Sequence, residues 1–517
     1  MTDNNLFTAL RAGFPADLDS SAIETADTPQ PLRYTWRDID RGTAMLANLI
    51  ESLALPADSR IAVQTGKSVE ALMLYLAVLR AGHVYLPLNP AYQASELEYF
   101  IANAEPAVVV CAGTDFGWVS KLAFLAGTRH VYTLNEDRTG TLLDRAAFHA
   151  DEHLPALRGA GDLAAILYTS GTTGRSKGAM LTHGNLLSNA RVLHTAWGWR
   201  DAGPATGRDV LIHALPIFHV HGLFVAAHGA LLSGSRMIWF SRFDARAVVA
   251  RLPEASVFMG VPTLYVRLLA EPTFTRQTCR LMRLFISGSA PLLTETFNAF
   301  RERAGHTILE RYGMSETVML TSNPYRPESA RRGGTVGLPL PGVGVRVQDD
   351  KGRPLPAGEV GGIEVKGPNV FKGYWKMPEK TADEFTTDLW FKTGDVGRIS
   401  DDGYITIVGR SKDLIITGGY NVYPAEVEGY LNDMPDVTES AVIGVPHADF
   451  GEAVVALVVA RPGATPDAAA MLAQLKKRIA NFKVPKQLFV VAELPRNAMG
   501  KVQMSLLREE HRGLFAG

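Results

Sequence analysis

The chain has 517 residues, enough for two or more domains at about 100–200 residues each, and its 52 basic and 53 acidic side chains leave a formal charge of −1. That balance excludes nucleic acid or an anionic membrane as the main partner, and 46% apolar with 20% charged residues excludes a disordered chain. Only two cysteines, no apolar run of about 18 residues and no basic or apolar N-terminal segment exclude a disulfide framework, a membrane span and a secretory signal, so a cytoplasmic protein is expected.

In chain order, residues 34–36 open a segment whose apolar positions Ile39, Met45, Leu46, Leu49, Ile50 and Leu53 recur at helical spacing. Residues 60–64 read as a strand, 69–79 as an apolar helix ended by Gly82, and 84–88 and 107–110 as further strands. The rhythm continues through strands at 210–215, 236–240, 256–259 and 283–286 and predicts parallel sheets covered by helices. After about residue 330, Gly, Pro and short β-type runs at 333–337, 342–347, 361–365 and 402–408 predict a small, mostly antiparallel subdomain. Residues 424–432 and 471–480 then read as helices, and 440–445 and 454–459 as strands. The expected fold is α/β: a large N-terminal domain, 1–410, of parallel-rich sheets with helices and a small β subdomain at about 331–410. A short hinge joins it to a small mobile α+β C-terminal domain, 411–517.

The most informative segment is Tyr168-Thr169-Ser170-Gly171-Thr172-Thr173-Gly174-Arg175-Ser176-Lys177-Gly178, fed by an apolar strand. Glycines let backbone N–H groups turn towards phosphate oxygens, hydroxyls add donors and Lys177 adds charge. The P-loop ATPase pattern fails, because Ser176 stands five positions after Gly171 where Gly is required. His219 and His221 form an H-x-H pair read as lying on a strand, which would put both imidazoles on one face, but no further His or Asp cluster accompanies them.

The phosphate run resembles that of the adenylate-forming superfamily of acyl-CoA synthetases, adenylation domains and luciferases. Further motifs follow in the family's order: 215–222, Ile286-Ser287-Gly288-Ser289-Ala290-Pro291-Leu292, Glu310-Arg311-Tyr312-Gly313-Met314-Ser315-Glu316-Thr317, 391–395, 409–413 and 494–501. The resemblance spans about residues 30–510 and implies a two-step reaction. A carboxylate attacks the α-phosphate of Mg-ATP, and a thiol, usually that of CoA, then attacks the acyl carbon and releases AMP. It implies Lys501 as the catalytic cation of the first step, Glu316 as the Mg²⁺ ligand and His219 where the acyl carboxylate meets ATP. The implied nucleotide site is Thr169, Ser170, Gly171, Thr172, Thr173, Gly174, Lys177, Gly288, Ser289, Ala290, Arg311, Tyr312, Gly313, Ser315, Asp395 and Arg410. Tyr312 would stack on adenine, and Asp395 and Arg410 would hold the ribose. Lys412 is the implied hinge, and Gly418 and Gly419 would leave room for the pantetheine arm of CoA. A lysine acetyltransferase and deacetylase acting on Lys501 would switch its charge off and on.

The helix after residues 260–263 should line the acyl pocket, and in it Arg267 interrupts the apolar run Leu264, Tyr265, Val266, Leu268 and Leu269. A buried arginine needs an anionic partner, which a second substrate carboxylate would supply. With residues 286–292, 311–317, 321–325 and 367–375, Arg267 gives a pattern similar to malonyl-CoA synthetases, which activate malonate and often methylmalonate. Arg267 would then grip the distal carboxylate with Ser287 and His219, while Met314 limits substitution at C2; Val220 departs from that pattern. A ligase for another short acid, a metal hydrolase built on the histidine pair and a silent adenylate-binding module stand as alternatives.

Overall fold

The structure, a computed structural model, describes residues 4–28, 30–169, 176–199, 207–418, 420–447, 449–497 and 500–515. The chain forms two compact units. One comprises Met1–Gly333, Gly337–Gly344 and Lys366–Phe385, and the other Gly334–Val336, Val345–Val365 and Thr386–Gly517.

Two sheets organise the first unit. In one, Leu163–Thr169 pairs in parallel with Val84–Pro87, which continues through Arg60–Gln64 and Val108–Cys111 to His130–Thr133. Lys177–Thr182 and Gly373–Tyr374 extend it on the antiparallel side. In the other, Leu309–Tyr312, Leu284–Ser287, Val257–Gly260, Val210–His213, Arg236–Trp239 and Ser21–Thr25 run parallel in that order. Strands buried on both faces read as continuous apolar runs, and Val108–Cys111, Val257–Gly260 and Leu284–Ser287 are buried at every position. The helix Val69–Arg80 is likewise buried all round, its start fixed by Ser68, whose side chain accepts from the Ala71 N–H.

The second unit holds a sheet in the order Gly344–Gln348, Gly361–Lys366, Phe391–Ile399, Ile405–Arg410. Its longest strand, Phe391–Ile399, is absent from the sequence-based reading, and the expected β run at 333–337 is not a strand. A further sheet pairs Val437–His447 with Gly451–Ala460, adds Gln487–Val491 in parallel, and is backed by the helices Pro424–Asn432 and Ala468–Arg478. Val427, Leu431, Val442, Val454, Met471 and Leu475 close the core between sheet and helices.

Candidate active site

In the first unit the candidate residues gather at the carboxyl ends of three neighbouring parallel strands, where open α/β sheets bind ligands. Gly260 stands opposite Ser287 and Ser287 opposite Glu310. The chain leaves Ser287 through Gly288 and Ser289, whose φ of +72° is the left-handed backbone that a non-glycine residue adopts only under constraint. A Cβ at Gly313 would stand 1.9 Å from the Val318 carbonyl oxygen, so that position requires glycine, whereas one at Gly288 would stand 2.6 Å from the Arg311 Cζ and force the guanidinium to shift.

The strands Leu163–Thr169 and Lys177–Thr182 are the two stems of the phosphate loop, with Thr169 opposite Lys177. Ser170, Gly171, Thr172, Thr173 and Gly174 lie outside the described residues. Lys177 Nζ stands 3.3 Å from Glu384 Oε1 and 4.1 Å from the centre of the Tyr374 ring. The Tyr374 hydroxyl donates to Glu316 Oε1 at 2.9 Å, and the Phe371 N–H donates to the Glu316 carbonyl. Burial, reinforced by the Glu316 carboxylate, drives the Tyr374 pKa upward, so its hydroxyl stays a donor. Tyr374 thus joins the candidate magnesium ligand to the phosphate-loop lysine, a link missed in the sequence. Its signal was the pairing of Gly373–Tyr374 with Lys177–Thr182, which spacing alone does not reveal. Ser315 and Met314 are half-buried in the turn before Glu316, and the Thr317 N–H donates to the Met314 carbonyl.

The histidine pair is not on a strand. Val210–His213 ends six residues before His219, and His221 opens the π-helix His221–Ala227. π-turns inside helices concentrate at functional sites. The His221 N–H donates to His219 Nδ1 at 3.4 Å, and His221 Nδ1 lies 3.3 Å from Ser289 Oγ. Burial, then the charge of Arg311, holds the His221 pKa well below its usual range, so the ring is neutral at pH 7. Among the described residues no group of three or more His, Cys, Asp or Glu could hold a metal ion.

Arg311 is buried, and on its strand it alternates with Tyr312, so the two lie on opposite faces. Arg267 departs from expectation. It sits on the exposed side of the helix Pro262–Ala270, whose buried face is Leu264, Tyr265 and Leu268. Arg267 is thus an exposed charge on this helix rather than the buried one expected.

The remaining candidates lie in the second unit. Asp395 and Arg410 face each other across neighbouring strands, and Arg410 Nε is 3.1 Å from the largely buried Asp395 Oδ1. Lys412 is exposed in the single turn Ser411–Asp413, tied back by Ser411 Oγ to the Gly394 carbonyl at 3.0 Å. Gly418, φ +56°, stands in the turn between Ile415–Thr417 and Tyr420–Val422, and Gly419 lies outside the described residues. Lys501 is exposed; its N–H donates to Asn497 Oδ1 at 3.0 Å and its carbonyl accepts from the Asn497 N–H at 2.9 Å.

Residues 19–375 match the AMP-binding enzyme family, and residues 426–501 match the AMP-binding enzyme C-terminal domain. The chain belongs to the AMP-binding enzyme family. It is 34% identical to a malonate–CoA ligase of Arabidopsis thaliana, over 87% of this chain and 78% of that protein. It is 35% identical to a feruloyl-CoA synthase of an Amycolatopsis species, over 90% of this chain and 92% of that protein. Among solved structures, ATP-bound MatB from Rhodopseudomonas palustris superposes with a TM-score of 0.95 at 50% identity, covering 99% of this chain and 100% of that one. The mixed α/β architecture is that of adenylate-forming enzymes.

Proposed function

We propose that this protein is an ATP-dependent malonate–CoA ligase. One carboxylate oxygen of malonate attacks the α-phosphorus of ATP, and the bond to pyrophosphate breaks. The CoA thiol then gives up its proton and attacks the acyl carbon of malonyl-adenylate, so that AMP leaves and malonyl-CoA forms. The observation that carries this reading is the likeness to the Arabidopsis malonate–CoA ligase along nearly the whole chain, joined with the buried polar side chains of Ser287, at a strand end, and His221, at the start of the π-helix.

In this reading Tyr312 stacks on adenine between the small residues Gly288, Ser289 and Ala290, and Gly313 and Ser315 approach the phosphates with Thr169 and Lys177. Asp395 accepts from the ribose hydroxyls, and Arg410 orients Asp395. Glu316 suits Mg²⁺, which takes one or two carboxylates and leaves its other positions to phosphate and water; the ion would neutralise phosphate charge. A single buried carboxylate, oriented by the Tyr374 hydroxyl, fits that demand. Lys501 stabilises charge building on the α-phosphate. Lys412 is the hinge about which residues 411–517 turn between the half-reactions, bringing Gly418 and Gly419 to the pantetheine arm. His219 orients the attacking carboxylate, and Met314 bounds the space beside the malonate C2. Acetylation of the exposed Lys501 by a lysine acetyltransferase, reversed by a deacetylase, would remove its charge. No helix among the described residues is long and apolar enough to cross a membrane, and we assign the reaction to the cytoplasm.

The test is pyrophosphate release across malonate, methylmalonate, succinate, acetate, butyrate, benzoate and ferulate, with and without CoA. Malonate should give the highest kcat/KM, with malonyl-CoA appearing only when CoA is present. A monocarboxylate preferred to malonate overturns the reading.

A further inference from the structure

Resting on that reading, we propose that Glu384 is a positioning residue for the phosphate loop: an internal anion that holds Lys177 when no phosphate is bound, is displaced by the polyphosphate of ATP, and takes the lysine back as pyrophosphate leaves.

Glu384 Oε1 lies 3.3 Å from Lys177 Nζ and 3.1 Å from Lys380 Nζ, so one carboxylate oxygen bridges two ammonium groups. A phosphate oxygen bridges two lysines in the same way, and the carboxylate occupies the position of such an oxygen. The side chains of Lys177 and Glu384 are 16% and 20% exposed, which sets this pair apart from the screened ion pairs of the surface. Burial works to raise the Glu384 pKa, but the hydrogen bond from Lys380 and the charge of Lys177 outweigh it and hold the carboxyl below its usual range, so the acid is ionised at pH 7.

The fold itself delivers the acid to this place. Glu384 follows the short helix Pro378–Asp383, whose Thr381 Oγ1 accepts from the Tyr374 N–H at 2.9 Å and donates to the Met377 carbonyl at 2.8 Å. A Cβ at Gly373 would stand 2.6 Å from Thr381 Cγ2, so the helix lies against the strand Gly373–Tyr374. That strand pairs with Lys177–Thr182, Tyr374 opposite Ala179, and the Trp375 N–H donates to the Gly178 carbonyl at 2.8 Å. The acid is therefore tethered to the same stem that carries the lysine it holds. Thr169 of the other stem stands opposite Lys177, so the ammonium that Glu384 engages is at the root of the phosphate loop.

A carboxylate and a phosphate compete for this lysine. Two anions within a few ångströms of each other repel, and the repulsion is stronger where water is partly excluded. An acid at this spot weakens ATP binding, and a site built for affinity alone would do without it. The reaction supplies its use. Adenylation leaves pyrophosphate, a small, highly charged anion with no adenine or ribose to anchor it. Its departure strips the anion from a largely buried ammonium, and a carboxylate already tethered beside that ammonium offsets the loss. Lys380, bound to the same oxygen, tempers the pull of Glu384 on Lys177. The Tyr374 ring, 4.1 Å from Lys177 Nζ, keeps the ammonium in place during the exchange.

The experiment measures calorimetric Kd values for magnesium pyrophosphate, Mg-ATP and adenosine, with no acid present, in the full-length wild-type chain and in Glu384→Gln, Glu384→Asp and Lys380→Met. Glu384→Gln keeps the shape and removes the charge, and should tighten pyrophosphate and ATP by about 10-fold each. Dissociation of the preformed pyrophosphate complex, followed by stopped flow, should slow by about the same factor. Adenosine carries no phosphate and should bind all four proteins alike. Glu384→Asp keeps the charge one methylene further back and should tighten pyrophosphate less. Lys380→Met leaves the shared oxygen to Lys177 alone and should weaken pyrophosphate and ATP about 3-fold. The opposite signs expected at Glu384 and Lys380 are ones that a shared packing defect does not produce, and Glu384→Asp with Lys380→Met carries the test if Glu384→Gln fails to bind adenosine. Weaker or unchanged pyrophosphate binding in Glu384→Gln with adenosine binding intact overturns the proposal, as does tighter binding in Lys380→Met. Because no acid is present, a preference for an acid other than malonate overturns the malonate reading and leaves this result standing. A wild-type chain that binds neither ATP nor pyrophosphate overturns both.

Discussion

Replacing Tyr374 by Phe separates two jobs that one side chain performs. The ring stays under Lys177 Nζ, 4.1 Å away, while the hydroxyl that donates to Glu316 Oε1 at 2.9 Å is lost. Both residues are buried, so water does not readily replace the donor. A hydrogen bond to a charged group is worth about 1.5–3 kcal/mol, and a buried acceptor deprived of its donor loses a comparable amount. If Glu316 holds Mg²⁺, that loss acts on a carboxylate held less firmly in its pose, and 1.4–2.8 kcal/mol corresponds to about 10–100-fold. We expect the Mg²⁺ concentration for half-maximal pyrophosphate release to rise about 10-fold. Adenylation should slow by about 10–100-fold, while thioesterification of supplied malonyl-adenylate proceeds at the wild-type rate. Tyr374→Leu should add a further loss in ATP affinity, since a cation over an aromatic face contributes about 0.5–2 kcal/mol and, among the described residues, Lys177 Nζ would keep Glu384. A Tyr374→Phe protein with a lowered melting temperature but unchanged Mg²⁺ dependence and adenylation rate would refute the reasoning and leave Tyr374 a packing residue.

Three further outcomes can be stated. Lys501→Ala should slow adenylation by about 10²–10³-fold, the effect of losing one preorganised cation, and spare the thioester step from supplied adenylate; equal losses in single-turnover assays of both steps would count against its role. Lys412→Pro fixes φ near −65° and should leave ATP–pyrophosphate exchange intact while malonyl-CoA production falls; loss of both would point to misfolding. Glu310→Gln should flatten the dependence of stability on pH between about 5 and 8. Burial raises the Glu310 pKa from 4.5 to about 8, so over that window the unfolded chain releases a proton that the fold retains, and the wild-type protein loses stability as pH rises. Denaturant midpoints at pH 5, 6.5 and 8 for the two proteins give the answer, and parallel curves would exclude a buried neutral Glu310.

The regular elements were legible where burial and periodicity agree. The strand Arg60–Gln64 and the helix Pro424–Asn432 coincide with the sequence-based reading, and Val69–Arg80 extends it by one residue. The strand Phe391–Ile399 escaped because Lys392, Gly394, Asp395 and Gly397 disfavour a strand, and its buried Asp395 belongs to the candidate site rather than to the core. The π-helix could not be read, since His221–Ala227 is buried at every position and so carries no period. Arg267 is a different case, because its exposure was available from spacing. Leu264, Tyr265 and Leu268 already define one face of a helix, and Val266 and Arg267 fall off it.

Arg311 shows where sequence stops and structure begins. In the run Glu310-Arg311 an acid stands beside a base, and the simplest expectation is that they neutralise each other. A strand forbids this, because successive side chains leave on opposite faces. The fold then buries both, Glu310 beside the Leu292 N–H and Arg311 against Gly288. The two faces answer burial in opposite ways. The carboxyl can shed its charge by keeping its proton, and its pKa of about 8 says that it does so at pH 7. A guanidinium yields its proton far less readily, so its charge persists and needs a counter-ion from elsewhere. A neutral Glu310 also leaves the field at Arg311 uncancelled, which an ionised one a residue away would weaken. The sequence shows one plausible ion pair, whereas the fold makes a protonated acid on one side of the sheet and, on the other, a buried guanidinium whose Nε and Nη2 have no hydrogen-bond partner among the described residues.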